Sequence, residues 1–589
     1  MNGKGRLSAA NIFHLRQRAR YAAVMVSLIF TLLVARLVYL QLYKGEELRL
    51  RSETNSIRLR KITPARGLIM DARGKVLVEN TPSFNVIYVP NRTRSHLQIK
   101  EELQRIYRDE SLNVPPGISK LQEGALFVPV RLETAISREK LAVIETNSHL
   151  LPGVFIEVAS VRKYPIGEVM AHVIGYMGEI SQEELTKDLS GEYSFGDYLG
   201  KFGLEKEIGR FLKGRDGAEQ AEVNAVGKEV KVLGRIEPVA GYNAVLTINL
   251  SLQQAAWNAL EGKAGAAVAM DPRDGAVLAM VSSPSFDPNL FSEGLSREVW
   301  RKLMSNPLHP MENRAITGQY PPASTYKVIV AAAALEEGLV GPDTVYHCNG
   351  EYEMGNRTFR CWRREGHGRV NLHRGIVESC DVYFYNLGKL IGVDTIATYA
   401  RHFGLGEKTG IDLPQEKKGR VPTKKWKRER FKEQWHPGET IPISIGQGYN
   451  LTTPLQLANV YSALANGGTL YRPRIVRRLL HGDGRVYQEY PPEVISRLPV
   501  SEKTIQIINR ALWGAVNEAN GTGSALRRAE RDVSGKTGTA QVVQLARKGE
   551  TIRYKITGRR LKDHAMFVCF APSERPEIVV AVLLEHAGA

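Results

Sequence analysis

The chain has 589 residues, 43% of them hydrophobic and 24% charged, with 54 Gly and 28 Pro, a folded composition with room for three or four domains. It excludes a single small binding module, a collagen-like or low-complexity chain and, with four cysteines, a disulfide-built scaffold. Lys plus Arg outnumber Asp plus Glu 80 to 62, a net +18, which suits nucleic acid, a membrane surface or an anionic polymer without choosing among them.

No Asp or Glu occurs in the first 45 residues, and Lys4, Arg6, Arg16, Arg18 and Arg20 precede an apolar run from Tyr21 to Leu42. A helix of that length crosses a bilayer with its basic flank in the cytoplasm. The run ends in Tyr39-Leu40-Gln41-Leu42-Tyr43 rather than in a small-residue cleavage site, so it reads as an uncleaved anchor. The expected order is a cytoplasmic tail (1–20), a transmembrane anchor (21–42) and a body outside the cytoplasm, which removes nucleic acid as a partner. Arg36, the charge inside the span, either snorkels to the outer headgroups or faces a partner membrane helix.

Residues 63–71 and 73–78 read as short strands about a Gly-bearing turn, and Ile99 to Tyr107 and Ser137 to Glu145 as amphipathic helices. No catalytic spacing occurs before a change of texture near residue 245, so 43–245 reads as a non-catalytic pedestal or dimerisation domain. Beyond it, a helix starts at Asn249-Leu250-Ser251, with Ser251 as a candidate cap. Residues 266–271 and 276–281 make a buried hairpin, Val328 to Leu335 a helix, and Ala565 to Leu584 an apolar β-branched stretch. Strands at both ends with helices between make residues 246–589 an α+β domain. The basic run Lys424 to Lys432 reads as a solvated face, with contact to a wall polymer as the other reading.

Ser324-Thr325-Tyr326-Lys327 leads directly into the Ala-rich helix. A Ser and a Lys three apart share one helix face, so the amine can reach and activate the hydroxyl. Ser379-Cys380-Asp381 and Lys536-Thr537-Gly538-Thr539 follow in chain order. With these three motifs the sequence resembles the class B penicillin-binding proteins, the monofunctional peptidoglycan transpeptidases, and most closely the elongation-type penicillin-binding protein 2 subfamily. The likeness extends to the anchor, Arg66-Gly67 with Asp71, Gly203-Leu204-Glu205, Asn313-Arg314-Ala315, Trp435-His436-Pro437-Gly438 and Ser444-Ile445-Gly446-Gln447-Gly448.

The resemblance implies a transpeptidase domain, an antiparallel sheet flanked by helices, on an elongated pedestal. It implies a D,D-transpeptidase of cell-wall elongation and rod-shape maintenance, a target of penicillin and other beta-lactams. Ser324 would attack the penultimate D-Ala of a peptidoglycan stem peptide and form an acyl-enzyme, with Lys327 as base. Ser379 would relay protons between Lys327, Lys536 and the reacting amine, and the Ser324 and Thr539 amides would hold the oxyanion. Lys536, Thr537, Gly538 and Thr539 would form the substrate-binding strand that receives the carboxylate. Implied partners are a SEDS-family glycan polymerase (RodA) and the MreC scaffold, in the cytoplasmic (inner) membrane with the catalytic domain in the periplasm. Asp381 departs from the Asn common in other penicillin-recognising enzymes and narrows the subtype. The chain stops at Leu584-Glu585-His586-Ala587-Gly588-Ala589, where relatives continue into a final helix, so one sheet face is expected to lack cover.

Other readings fail on residues. A phosphate-binding loop ending at Gly535-Lys536-Thr537 would need Gly where Glu530 stands, and an α/β-hydrolase elbow at Ser444 would need Gly where Pro442 stands. A β-lactamase leaves the pedestal unexplained, and a receptor lacks an output domain. The alternatives kept are a catalytically idle membrane scaffold and a D,D-carboxypeptidase.

Cys348, Cys361, His367 and Cys380 cluster between the first and second motifs and form a full tetrahedral set for a structural zinc; the competing reading is a Cys348 to Cys361 disulfide with Cys380 free. Position favours metal, because a closed site would pin Ser379 near Lys327. No cofactor is expected for the chemistry itself. Cys569, alone in an apolar strand, reads as a buried core thiol.

Overall fold

The computed structural model describes residues 9–46, 57–90, 95–119, 130–188, 191–194, 196–223, 229–292, 294–528, 530, 532–541 and 562–588. The helix Ala9–Val38 runs on through a wider turn, Tyr39–Tyr43. Its segment Leu15–Tyr43 is 29 residues long and holds an 18-residue window of mean hydropathy 2.3, none of which is buried, long enough for one membrane crossing. Near its C-terminal end the Arg36 guanidinium lies 5.2 Å from the centre of the Tyr39 ring.

Past the anchor, Ile57–Ile62, Gly217–Val223 and Glu229–Ile236 form a three-stranded antiparallel sheet. The long strand Val76–Tyr88 pairs with Val154–Lys163 from Glu79↔Lys163 to Tyr88↔Val154. The helices expected over 99–107 and 137–145 are His96–Asp109, opened by a capping box on Ser95, and Arg138–Thr146, capped by Ser137. Ile99, Leu103 and Tyr107 of the first bury against Val86 and Tyr88, the i, i+4 stripe read in the sequence.

Strand pairing crosses the change of texture at residue 245. Asn243–Leu246 pairs in parallel with Ile69–Met70 and antiparallel with Val476–Leu480, so a seven-stranded sheet draws from both halves of the chain. Gly67 makes the closest approach, since a Cβ there would lie 1.8 Å from the Tyr242 carbonyl oxygen. Asp71 accepts from the amides of Arg73 (2.9 Å) and Lys75 (2.8 Å) with one oxygen and from that of Leu250 (3.3 Å) with the other. The helix it meets, Leu250–Leu260, is capped by Asn249 and not by Ser251. The Asn249 Oδ1 accepts from the Ser251 and Leu252 amides at 3.0 and 3.2 Å, because a cap must stand one residue outside the helix to reach its free amides.

The catalytic half is built on a five-stranded antiparallel sheet in the order Val277–Ser283, Gly265–Met270, Ile578–Leu584, His564–Ala571, Ser534–Ala540. The helix Pro454–Ala465 packs on one face and is buried nearly throughout, together with the first turns of Lys327–Glu336. On the other face Leu260 and Trp257 cover Ala267, Val281, Val582 and Leu584. Farther along that face Phe567 and Cys569 are half-buried. Cys569 is therefore not the fully buried core thiol read from the sequence: strand alternation puts it outside, while Val568 and Phe570 point inward.

Candidate active site

Ser324 sits in the tight turn Ala323–Tyr326 that runs directly into Lys327–Glu336. Ala323 adopts φ +51°, a conformation an L residue holds only when its surroundings impose it. Its amide donates to the Gly446 carbonyl at 2.9 Å, and a side chain at Gly446 would lie 2.2 Å from the Ala323 oxygen. The Thr325 hydroxyl donates to the Pro322 carbonyl at 2.5 Å, and that of Tyr461 to the Thr325 carbonyl at 3.0 Å. Ser324 is left half-exposed while Ala323, Thr325 and Tyr326 are buried.

Lys327, one turn on, is fully buried. Its ammonium donates to the Ser379 carbonyl (2.9 Å), the Ser379 Oγ (3.1 Å) and the Asp381 Oδ1 (2.7 Å), which uses all three of its protons, and it lies 5.3 Å from the Phe384 ring centre. Among the described residues Lys327 and Ser324 share no hydrogen bond, so the contact expected from their spacing is not made here. Ser379 has φ +53°. The strained turn aims both its carbonyl and its hydroxyl at Lys327, and the Trp362 indole fixes it by donating to the Ser379 and Glu378 carbonyls at 3.1 Å. Asp381 opens the helix Asp381–Ile391 and also accepts from the Trp362 amide at 3.0 Å. An ionised Asp rather than Asn at this position balances a buried ammonium.

Lys536 lies in the edge strand Ser534–Ala540 and is fully buried. Burial holds its pKa well below the usual lysine range, the Lys327 charge adds to this, and Asp381 opposes it weakly. Among the described residues its only hydrogen bond is to the Thr537 carbonyl at 3.3 Å. Thr537 and Thr539 are half-exposed and Gly538 is buried; a Cβ on Gly538 would sit 3.1 Å from Thr325 and 3.3 Å from the Pro322 oxygen, so glycine lets this strand close on the nucleophile turn. The Gln447 amide donates to the Thr539 carbonyl at 3.0 Å, and Thr537 and Thr522 join hydroxyls at 2.8 Å.

The four residues read as metal ligands converge. Cys348, Cys361, His367 and Cys380 are all buried, their donor atoms lie within 4.8 Å of one another, and all three cysteines are free thiols. His367 Nδ1 stands 3.6 Å from the sulfurs of both Cys348 and Cys361. A tetrahedral zinc with bonds of roughly 2.3 Å to sulfur and 2.0–2.1 Å to nitrogen would put that edge at about 3.6 Å. The Cys361 thiol is driven strongly toward the thiolate, chiefly by its bond with Cys380 and then by His367, against the opposing effect of burial.

Trp362 and Thr522 went unread in the sequence, and Gln447 stood there only within the Ser444–Gly448 stretch of the family resemblance.

Two family models match the chain: "Penicillin binding protein transpeptidase domain" over residues 265–589 and "Penicillin-binding Protein dimerisation domain" over residues 61–246. The peptidoglycan D,D-transpeptidase MrdA of Haemophilus influenzae is 35% identical over 98% of this chain and 89% of its own length. The complex of penicillin-binding protein PBP2 with MreC from Helicobacter pylori contains a chain matching at TM-score 0.77 and 29% identity, over 90% of this chain and 95% of that one. A structure describing polymerisation and crosslinking by a peptidoglycan synthase complex matches at TM-score 0.70 and 30% identity, over 97% and 95%. With the Ser324, Ser379 and Lys536 motifs brought together under the first model and the pedestal under the second, the chain belongs to the class B penicillin-binding proteins, in the elongation-type penicillin-binding protein 2 branch.

Proposed function

We propose that the protein is a membrane-anchored, serine-type peptidoglycan D,D-transpeptidase of cell-wall elongation, with its catalytic half in the periplasm and its pedestal, from about residue 43 to 245, engaging membrane partners. The observation that carries this reading is the buried pairing of Lys327 with Ser379 and Asp381, beside a fully buried Lys536 whose pKa burial pushes well below the usual lysine range. Lys327 passes a proton through the Ser379 hydroxyl to Lys536, and its freed amine then takes the proton of Ser324. The Ser324 oxygen attacks the penultimate D-Ala carbonyl, the C–N bond breaks, and the terminal D-Ala leaves with a proton from the same relay. The Ser324 and Thr539 amides receive the oxyanion, with Thr539 held by Gln447. Thr537 and Thr539, half-exposed on the strand, receive the carboxylate that beta-lactams imitate. An acceptor amine then resolves the acyl-enzyme by the reverse path.

The thiol and imidazole set supports a structural zinc held by Cys348, Cys361, His367 and Cys380, with no open position and no part in the chemistry. Less than about a tenth of an equivalent of zinc in protein purified without chelators would refute it. The pedestal and anchor are the surfaces for a SEDS-family polymerase of the RodA kind and for MreC, the partner in the H. pylori complex; full polymerase binding by residues 246–589 alone would refute that assignment. For the enzyme, labelled penicillin is expected to form one covalent adduct, on Ser324, and Ser324→Ala to abolish both adduct and cross-linking. An adduct on another serine would overturn the assignment of Ser324, and no adduct would favour the idle scaffold.

A further inference from the structure

Between residues 417 and 432 the chain carries nine Lys or Arg and one acid, Glu429. The structure sorts these charges. Lys427 turns inward, its side chain 2% exposed, and pairs with Glu439 at 2.7 Å and Glu433 at 3.4 Å, so it holds the fold together. Lys424 and Lys425 meet acids only loosely, Asp394 at 3.6 Å and Glu429 at 3.9 Å. Lys417, Lys418, Arg428, Arg430 and Lys432 are exposed, and none of the five forms an ion pair among the described residues. Five cations without an ion pair on one short stretch cost self-repulsion.

The patch has a rigid base. Thr423 caps the helix Lys424–Phe431, and Trp426, Phe431 and Trp435 gather around Tyr449 with ring centres 5.2, 5.7 and 6.3 Å away. Arg420 lies over the Trp426 ring at 5.3 Å and donates to the Tyr449 carbonyl at 2.7 Å.

Its position bears on the cleft. Arg420 and Leu451 exchange backbone hydrogen bonds at 2.7 and 3.0 Å, and the next residue, Thr452, does the same with Tyr320 at 2.8 and 2.9 Å. Tyr320 leads into the nucleophile turn. At the other end of this segment Gly446 accepts from Ala323 and Gln447 holds Thr539. One wall, residues 446–452, thus carries the basic surface on its outside and touches both the nucleophile turn and the substrate strand.

From this arrangement we infer that the surface formed by Lys417, Lys418, Arg428, Arg430 and Lys432 is a docking site for an anionic peptidoglycan strand. It would hold the carboxylate-bearing stems next to the one being joined at Ser324, and the inference rests on the transpeptidase reading above. A ligand that must also reach the cleft fits a patch fixed to the cleft wall. A lipid surface fits less well, because Trp426 packs onto Tyr449 and Phe431, 45% exposed, is the one large apolar side chain this helix presents. Several weak, screened pairs acting together would give binding that is multivalent and sensitive to salt.

The test uses the full chain in detergent micelles, with fluorescent, soluble, uncross-linked peptidoglycan strands as the probe. Wild-type affinity is expected to fall at least tenfold from low to high salt, and at least tenfold when the stem carboxylates are amidated. Charge reversal by Lys417→Glu, Lys418→Glu, Arg428→Glu and Arg430→Glu together is expected to weaken low-salt binding at least tenfold and flatten the salt dependence; the four Gln replacements, gentler on the fold, should weaken it in the same direction. Penicillin labelling of Ser324 reports whether each variant is folded. Strand binding that is indifferent to salt, amidation and the Gln variants overturns the inference while leaving the enzyme reading intact, whereas wild-type protein that takes no penicillin overturns the enzyme reading. Charge-dependent binding to anionic but not zwitterionic vesicles, with strand binding unchanged in the variants, assigns the patch to lipid and also overturns the inference.

Discussion

Asp381 and Lys536 divide the electrostatics of the cleft. Among the described residues Asp381 is the only carboxylate paired with the buried Lys327 ammonium, so Asp381→Asn leaves that charge buried without a counter-charge, a change that commonly costs about 3–5 kcal/mol. We expect Asp381→Asn to slow penicillin acylation by at least a hundredfold and to lower the melting temperature, both measurable on one preparation; acylation within threefold of wild type would contradict the pairing. Lys536 behaves oppositely. Its pKa in the fold lies well below that of the unfolded chain, so between the two values the unfolded state binds the extra proton and stability falls as pH falls. Lys536→Met removes that penalty. The variant should melt a few degrees higher at neutral pH while forming no acyl-enzyme, and wild-type acylation should decline as acidification charges Lys536.

At the scale of elements, the lobe made of Tyr346–Cys348 paired with Gly368–Val370 and of Glu351–Met354 paired with Arg357–Arg360 bears on the second motif through one residue. Trp362 follows Cys361 and makes three hydrogen bonds to Glu378, Ser379 and Asp381. Cys361→Ala should therefore slow acylation by roughly tenfold through a displaced Trp362, with thiol titration confirming that Cys348 and Cys380 remain reduced; an unchanged rate would show that the lobe does not position the motif. Little of this was legible beforehand. The Cys and His set could be read because ligand chemistry depends on residue type, and the helices over 96–109 and 138–146 because burial leaves a 3.6-residue period. Trp362 carried no such mark: its role depends on a loop being folded back onto Ser379, whose φ of +53° nothing in Glu378-Ser379-Cys380 announces. The Asn249 cap was missed by one position because Asn249 and Ser251 are both good capping residues, and only backbone geometry decides between them. Cys569 was misjudged because an apolar strand can have a half-covered face.

For the whole molecule, the N-terminal half is held together internally by a buried ion triad. Glu205 accepts from Arg66 at 2.8 Å and from Arg162 at 2.6 Å, and Asn80 ties the two arginines together by donating to the Arg66 carbonyl and accepting from Arg162. Arg66 leads into Gly67 and the tight contact with Tyr242, while Arg162 ends the long strand pair of the pedestal. Glu205 is fully buried. Burial alone would raise its pKa, but Arg162 and then Arg66 outweigh it and hold the carboxyl below its usual range. A carboxyl depressed in the fold contributes stability that is present above its unfolded pKa and lost as pH falls through the folded value, so wild-type melting should decline below about pH 4.3. Glu205→Gln keeps the shape and removes the charge, leaving two buried guanidiniums facing each other. It should destabilise by about 3–5 kcal/mol and abolish this part of the acid dependence. At 25 °C, where the protein remains folded, penicillin acylation should stay within about threefold of wild type, since Lys327, Ser379 and Lys536 lie on other elements. Calorimetry across pH together with penicillin labelling separates the outcomes: a large loss of acylation without a loss of stability would mean that the triad transmits the state of the pedestal to the cleft rather than merely holding the pedestal together.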